Sequence, residues 1–177
     1  MTVEYDRRGP VVIITLDRPN RRDAVDDATA EKLGDAWDRF DEDDDALVGV
    51  LTGGEGTFSA GAGPEAMDLE DRPEGWLGFT RKRVSKLTVA AVEGHCVAGL
   101  EMAPWCDLRV ASESATFGVP PLDGGTQRLP HVVGLGRALE LILTGRKLDA
   151  QTAAEWGWST ASRRRGRRWR PPSSWRR

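Results

Sequence analysis

Several things are scarce in this 177-residue chain, and each scarcity excludes something. There are two cysteines, Cys96 and Cys106, too few for a disulfide scaffold and consistent with a reduced, cytoplasmic pair. There are two histidines, His95 and His131, and neither a His-x-x-x-His nor a Cys-x-x-Cys spacing, so no metal site is expected. His95 and Cys96 adjoin, but neighbours on a strand point to opposite faces, which argues against a nucleophile pair. No run approaches 18 apolar residues, so no membrane span is expected. The N-terminus MTVEYDRRGP lacks the apolar core of a signal peptide, and the expected location is the cytoplasm. Gly53-Gly54-Glu55-Gly56 lacks the lysine and hydroxyl of a phosphate loop, and Gly-x-Ser-x-Gly is absent.

What is present reads as a soluble domain, with 39% apolar and 30% charged residues. The net charge of −3 conceals an asymmetry. Residues 163–177 hold eight arginines and no acid; without them 17 basic residues face 28 acidic ones, a balance of −11. From Ser159 onward there is no Val, Ile, Leu, Met or Phe. The sequence therefore divides into a core domain over 1–158 and an Arg-rich tail over 159–177 with no periodic apolar face, expected to be disordered. A basic tail can bind nucleic acid or an anionic membrane. Its Arg, Pro, Ser, Gly and Trp are also what an out-of-frame reading of GC-rich DNA produces, and that reading, with no nucleic-acid or membrane partner, is preferred.

Strands are expected at 11–16, with 3–5 as hairpin partner, and at 47–52, 88–94 and 106–111. Helices are expected from Asp26, with Leu33, Trp37 and Phe40 inward; over 73–87, on the surface; near Gly99; from a Thr126 cap to Val133; over 137–143, with Leu139, Ile142 and Leu143 inward; and over 149–156. Strands alternating with helices imply α/β layering around a largely parallel sheet.

Two small-residue corners follow strands, Ala60-Gly61-Ala62 and Ala98-Gly99-Leu100-Glu101. Glycine lets backbone N–H groups approach a ligand. A helix N-terminus favours an anion, and two N–H groups from separate loops would make an oxyanion hole. Glu101 lies within one turn of the second corner. The same glycines also serve a purely structural corner, and the residues alone leave both open.

Residues 3–157 nonetheless carry an ordered set of stretches: 12–19 (VIITLDRP), 50–53 (VLTG), 58–62 (FSAGA), 90–94 (AAVEG), 106–111 (CDLRVA) and 124–130 (GGTQRLP). With these the sequence resembles the crotonase superfamily, the enoyl-CoA hydratase/isomerase family. The resemblance implies stacked ββα units (the ClpP/crotonase fold), with the family's C-terminal helical region largely missing here, truncated or frameshifted. It implies an acyl-CoA substrate, homotrimers or hexamers, and no cofactor beyond the CoA within the substrate thioester. Ala62 matches one enolate-binding amide; Gly99, with Ala98 as the alternative, matches the other. Ala60, Gly61 and Ala98 would line the substrate.

Glu101 matches one of the family's two acid/base glutamates. The second is expected after Phe117-Gly118-x-Pro, where Pro121 stands, and Asp123 is the nearby carboxyl, either catalytic or a turn aspartate. Gly63 replaces an aspartate, and Pro104 falls where a helix is expected, at a cost of about 3 kcal/mol. The resemblance implies hydration of a 2-enoyl thioester; double-bond isomerisation or an inactive remnant are the alternatives.

Overall fold

A computed structural model describes residues 2–54, 56–62, 72–97, 101–118, 125–159 and 161–163. The chain opens with the expected hairpin. Strand β1 (Val3–Arg8) pairs antiparallel with β2 (Val11–Leu16) across Gly9 and Pro10. The β-branched run of β2 suits a pleated strand covered on both sides. Val12, Ile14 and Leu16 enter the main core, while Val11 and Ile13 join a second cluster with Val50, Val89 and Ala91.

From β2 the main sheet continues in parallel through β4 (Val48–Gly53), β7 (Leu87–Val92), β9 (Leu108–Ser112) and β12 (Ala161–Arg163). A second sheet has the order β11 (Leu148–Asp149), β10 (Thr116–Phe117), β8 (His95–Cys96) and β5 (Thr57–Ser59). Strand β3 (Ala24–Val25) pairs with β6 (Gly61–Ala62). A simple alternation builds both large sheets. Each of β4, β7 and β9 is followed at once by a short strand, β5, β8 or β10, that passes into the second sheet. These are the stacked ββ units of the expected fold. The short strands span two or three residues, too few for a periodic pattern to mark them.

Helix α1 (Asp27–Glu42) packs on the main sheet through Leu33, Trp37 and Phe40, as the spacing requires. Asp26 caps it, accepting the Thr29 N–H at 3.0 Å and the Thr29 hydroxyl at 2.6 Å. At the other end Lys86 donates to the carbonyls of Phe40 (2.9 Å) and Asp43 (2.6 Å), which also accept the Asp43 and Ala46 N–H groups.

The helix expected over 73–87 does not form. Residues 72–86 are a chain of turns that carries Leu77 and Phe79 into full burial against α1. Phe79 and Trp105 stack around Trp37, at centroid distances of 5.9 and 4.8 Å from it. The crossing depends on Gly78, whose φ is +81° and where a Cβ would lie 1.9 Å from the Ala30 carbonyl.

Helices α2 (Gly125–Val133), α3 (Leu135–Thr144) and α4 (Ala150–Glu155) follow. Thr126 is the second residue of α2 and not its cap. The inward face of α3 is Ala138 and Leu141, with Ile142 partly buried; Leu139 and Leu143 point outward and are 45% and 80% exposed. The apolar residues of α3 form a stripe about half the helix wide, and Leu139 and Leu143 lie on its outer margin, so periodicity marks the stripe but not which part of it is buried.

Pro104 lies at the start of a 3-10 turn, Ala103–Trp105, where its missing N–H costs nothing, so the expected helical penalty does not arise. The helix expected near Gly99 lies outside the described residues. The expectation that nothing beyond Ser159 packs regularly fails for 161–163, whose backbone pairs with β9 because that edge offers unpaired amides. Residues 164–177 lie outside the described set. Among the described residues no helix is long and apolar enough to cross a membrane.

Candidate active site

The second sheet brings together the strands that precede the predicted site stretches. Strands β5, β8 and β10 are parallel neighbours with β8 in the middle. Ser59 and Phe117 both stand opposite Cys96. Beyond it the Val97 N–H donates to the Ser59 carbonyl (3.1 Å) and the Gly118 N–H to the Cys96 carbonyl (3.0 Å). Adjacent strands lie about 4.8 Å apart. The segments that start at Ala60, Val97 and Gly118 therefore leave one sheet edge side by side. Parallel α/β sheets bind ligands outside such C-terminal strand ends. Among the predicted site residues, Ala60, Gly61 and Ala62 lie on the first of these exits.

At the first exit Gly61 adopts φ +85°, a left-handed conformation that favours glycine. It turns the chain so that Gly61 and Ala62 pair with Ala24 and Val25. The Ala60 N–H donates to the Arg22 carbonyl at 2.9 Å. The Ser59 hydroxyl donates to the Asp23 carbonyl at 2.7 Å and accepts the Gly61 N–H at 2.9 Å. Asp23 is 2% exposed, and its carboxylate accepts the Arg18 N–H (2.7 Å) and the Gly54 N–H (3.1 Å). Burial pushes the Asp23 carboxyl above its ordinary range, against the opposing pull of those two N–H groups.

At the second exit Ala98 and Gly99 lie outside the described residues. Glu101, just beyond, is 1% exposed between that stretch and the buried Met102. Arg128 of α2 reaches it. One guanidinium nitrogen is 3.7 Å from the Glu101 carboxyl and 3.5 Å from its main-chain carbonyl, and the other donates to the Thr80 carbonyl. A buried carboxyl needs such a partner, because an isolated buried charge is expensive. Arg128 thereby joins α2, the 72–86 turns and the candidate acid/base. At the third exit Asp123 lies outside the described residues.

The geometry missed by sequence reasoning is thus supplied by Ser59, Asp23 and Arg128. Ser59 and Arg128 stand within the stretches that carry the family resemblance, but pattern alone assigns them no task.

Burial leaves the cysteines unsuited to nucleophilic chemistry. Cys96 and Cys106 are free and buried, and burial pushes both thiols well above the ordinary range, so neither supplies thiolate near neutral pH. His95 is exposed while Cys96 is buried, on opposite faces as strand geometry demands. Among the described residues no cluster of three His, Cys, Asp or Glu could hold a metal ion.

The sequence model of the enoyl-CoA hydratase/isomerase family matches residues 6–161. The chain belongs to that family. It is 36% identical over 163 residues to a mevalonyl-coenzyme A hydratase of Aspergillus fumigatus, an alignment covering 83% of this chain and 60% of that protein. It is 35% identical over 172 residues to a carnitinyl-CoA dehydratase of Citrobacter koseri, covering 88% of this chain and 66% of the relative. Among solved structures, an enoyl-CoA hydratase from Mycobacterium tuberculosis superposes with a TM-score of 0.88 at 36% identity, covering 93% of this chain and 70% of that one. The enoyl-CoA hydratase EchA1 of Mycobacterium marinum gives 0.86 at 36% identity, covering 93% and 69%. Members of the enoyl-CoA hydratase/isomerase family thus share the fold over nearly all of this chain, while the chain spans 60–66% of the length of these curated relatives.

Proposed function

We infer that this member of the family binds an acyl-CoA thioester and hydrates a 2-enoyl-CoA. The observation that carries the reading is the shared exit of β5 and β8, with the buried, Arg128-held Glu101 just beyond the second. Hydration develops negative charge on the thioester oxygen and moves a proton between water and carbon. In this reading the Ala62 and Gly99 N–H groups hold the oxygen, each such donor being worth about 3–4 kcal/mol. Glu101 handles the proton, a role worth roughly 10²–10⁴-fold. Asp123 is the second carboxyl of the proposal, and Ala60, Gly61 and Ala98 line the acyl-CoA. The chemistry asks for no metal or redox cofactor, with CoA entering as part of the substrate. A homo-oligomer and a cytoplasmic location belong to the same proposal.

Relatives named hydratase and dehydratase favour water addition over isomerisation. Incubating this chain with a trans-2-enoyl-CoA and a 3-enoyl-CoA side by side tests it. The expected product is 3-hydroxyacyl-CoA from the first. Conversion of the 3-enoyl substrate alone would make the chain an isomerase, and failure to bind either thioester would reduce it to a scaffold.

A further inference from the structure

Ser59 stands where the first two exits meet. It is the last residue of β5 and is fully buried. Its hydroxyl joins the Asp23 carbonyl to the Gly61 N–H, and its own carbonyl accepts the Val97 N–H. One residue thus fixes Gly61, the neighbour of Ala62, and the end of β8.

The far side of this link is braced. Arg22 and Asp23 have φ of +52° and +53°, a left-handed pair that side chains rarely adopt. The pair is held because the Asp23 carboxylate accepts main-chain N–H groups from Arg18 and Gly54. The Ala60 N–H to the Arg22 carbonyl adds a second tie between the same two segments. The hydroxyl therefore transmits the position of a rigid turn to the arm that bears Ala62. Any residue at 59 supplies the carbonyl bond to Val97, whereas the bridge from Asp23 to Gly61 needs a side-chain hydroxyl.

We propose that Ser59 is a positioning residue whose hydroxyl aims the Ala62 N–H at the thioester oxygen. The proposal deepens the acyl-CoA reading and rests on it. Hydrogen bonds weaken steeply off axis, and a preorganised donor works because nothing rearranges as charge develops. Ser59 itself touches no reacting atom; it acts through Gly61.

The test compares wild type, Ser59→Ala and Ser59→Thr in the full chain, with crotonyl-CoA as the probe substrate. Two quantities are read: kcat against KM, and amide hydrogen exchange at Gly61 and Ala62, with Ile14 and Val50 of the main sheet as folding controls. In Ser59→Ala, exchange at Gly61 and Ala62 rises at least about tenfold while the controls hold. Its kcat falls about 10–100-fold with KM within about threefold, and Ser59→Thr regains most of the loss. Unchanged exchange at Gly61 and Ala62 overturns the proposal. So does an unchanged kcat in a variant whose exchange has risen, and so does an equal rise at Ile14 and Val50, which would mark a merely structural residue. Should wild type turn over no enoyl-CoA, the acyl-CoA reading fails on its own control. The aim toward a thioester falls with it, and the exchange data then report only whether the hydroxyl holds the arm.

Discussion

Two aspartates three residues apart shift in opposite directions, although burial raises both. Burial pushes the Asp26 carboxyl up, but the Thr29 hydroxyl and N–H and the Arg18 guanidinium together bring it below its ordinary value. At Asp23 burial outweighs the two N–H groups, and the carboxyl stays raised. The consequences for stability have opposite signs. Asp26 stabilises the fold fully above the unfolded aspartate value of about 3.9, and the contribution is lost as pH falls through the lower folded value. Ionising Asp23 costs stability, and that cost vanishes at acid pH. Removing the cap in Asp26→Ala is expected to cost about 1 kcal/mol at pH 7. Urea unfolding at pH 7 and again near pH 3 should show the difference from wild type shrinking; an equal cost at both would mean the charge contributes nothing.

Elements are joined here by close approach more than by helical pattern. The turns at 72–86 cross α1 at Gly78, and the crossing buries Leu77 and Phe79. Gly78→Ala combines left-handed strain with a collision against the Ala30 carbonyl and is expected to cost about 3 kcal/mol. Gly9→Ala has a similar φ, +61°, but nothing within 4 Å, and should cost about 1 kcal/mol. Chemical denaturation of the two variants separates strain from packing, and equal losses would show that the crossing is loose.

The same locality explains what could be read in advance. Strand β2 and helix α1 announce themselves by continuous β-branching and by the Leu33, Trp37, Phe40 stripe, since each is long enough for its period to show. The segment 73–87 has apolar residues at roughly helical spacing, yet a tertiary crossing governs it. The outward Leu139 and Leu143 are not legible because the apolar stripe of α3 is wider than the part the fold buries. At the site, the corner at Gly61 follows from its small residues, whereas the burial of Glu101 does not. The bracing by Ser59, Asp23 and Arg128 arises largely from contacts between residues 27 to 48 apart, which no local pattern records.

Across the whole molecule, the alternation of long and short strands gives the main sheet its core and sends short strands to a second sheet, where β5, β8 and β10 end side by side. The proposed hydration depends on Glu101 as its acid/base. Measuring kcat for Glu101→Gln with a trans-2-enoyl-CoA, alongside thioester affinity, tests it most directly. The expected result is a fall in kcat of roughly 10²–10⁴-fold with binding retained, since the amide keeps the shape but cannot accept or deliver the proton. A variant that turns over as fast as wild type would contradict the account.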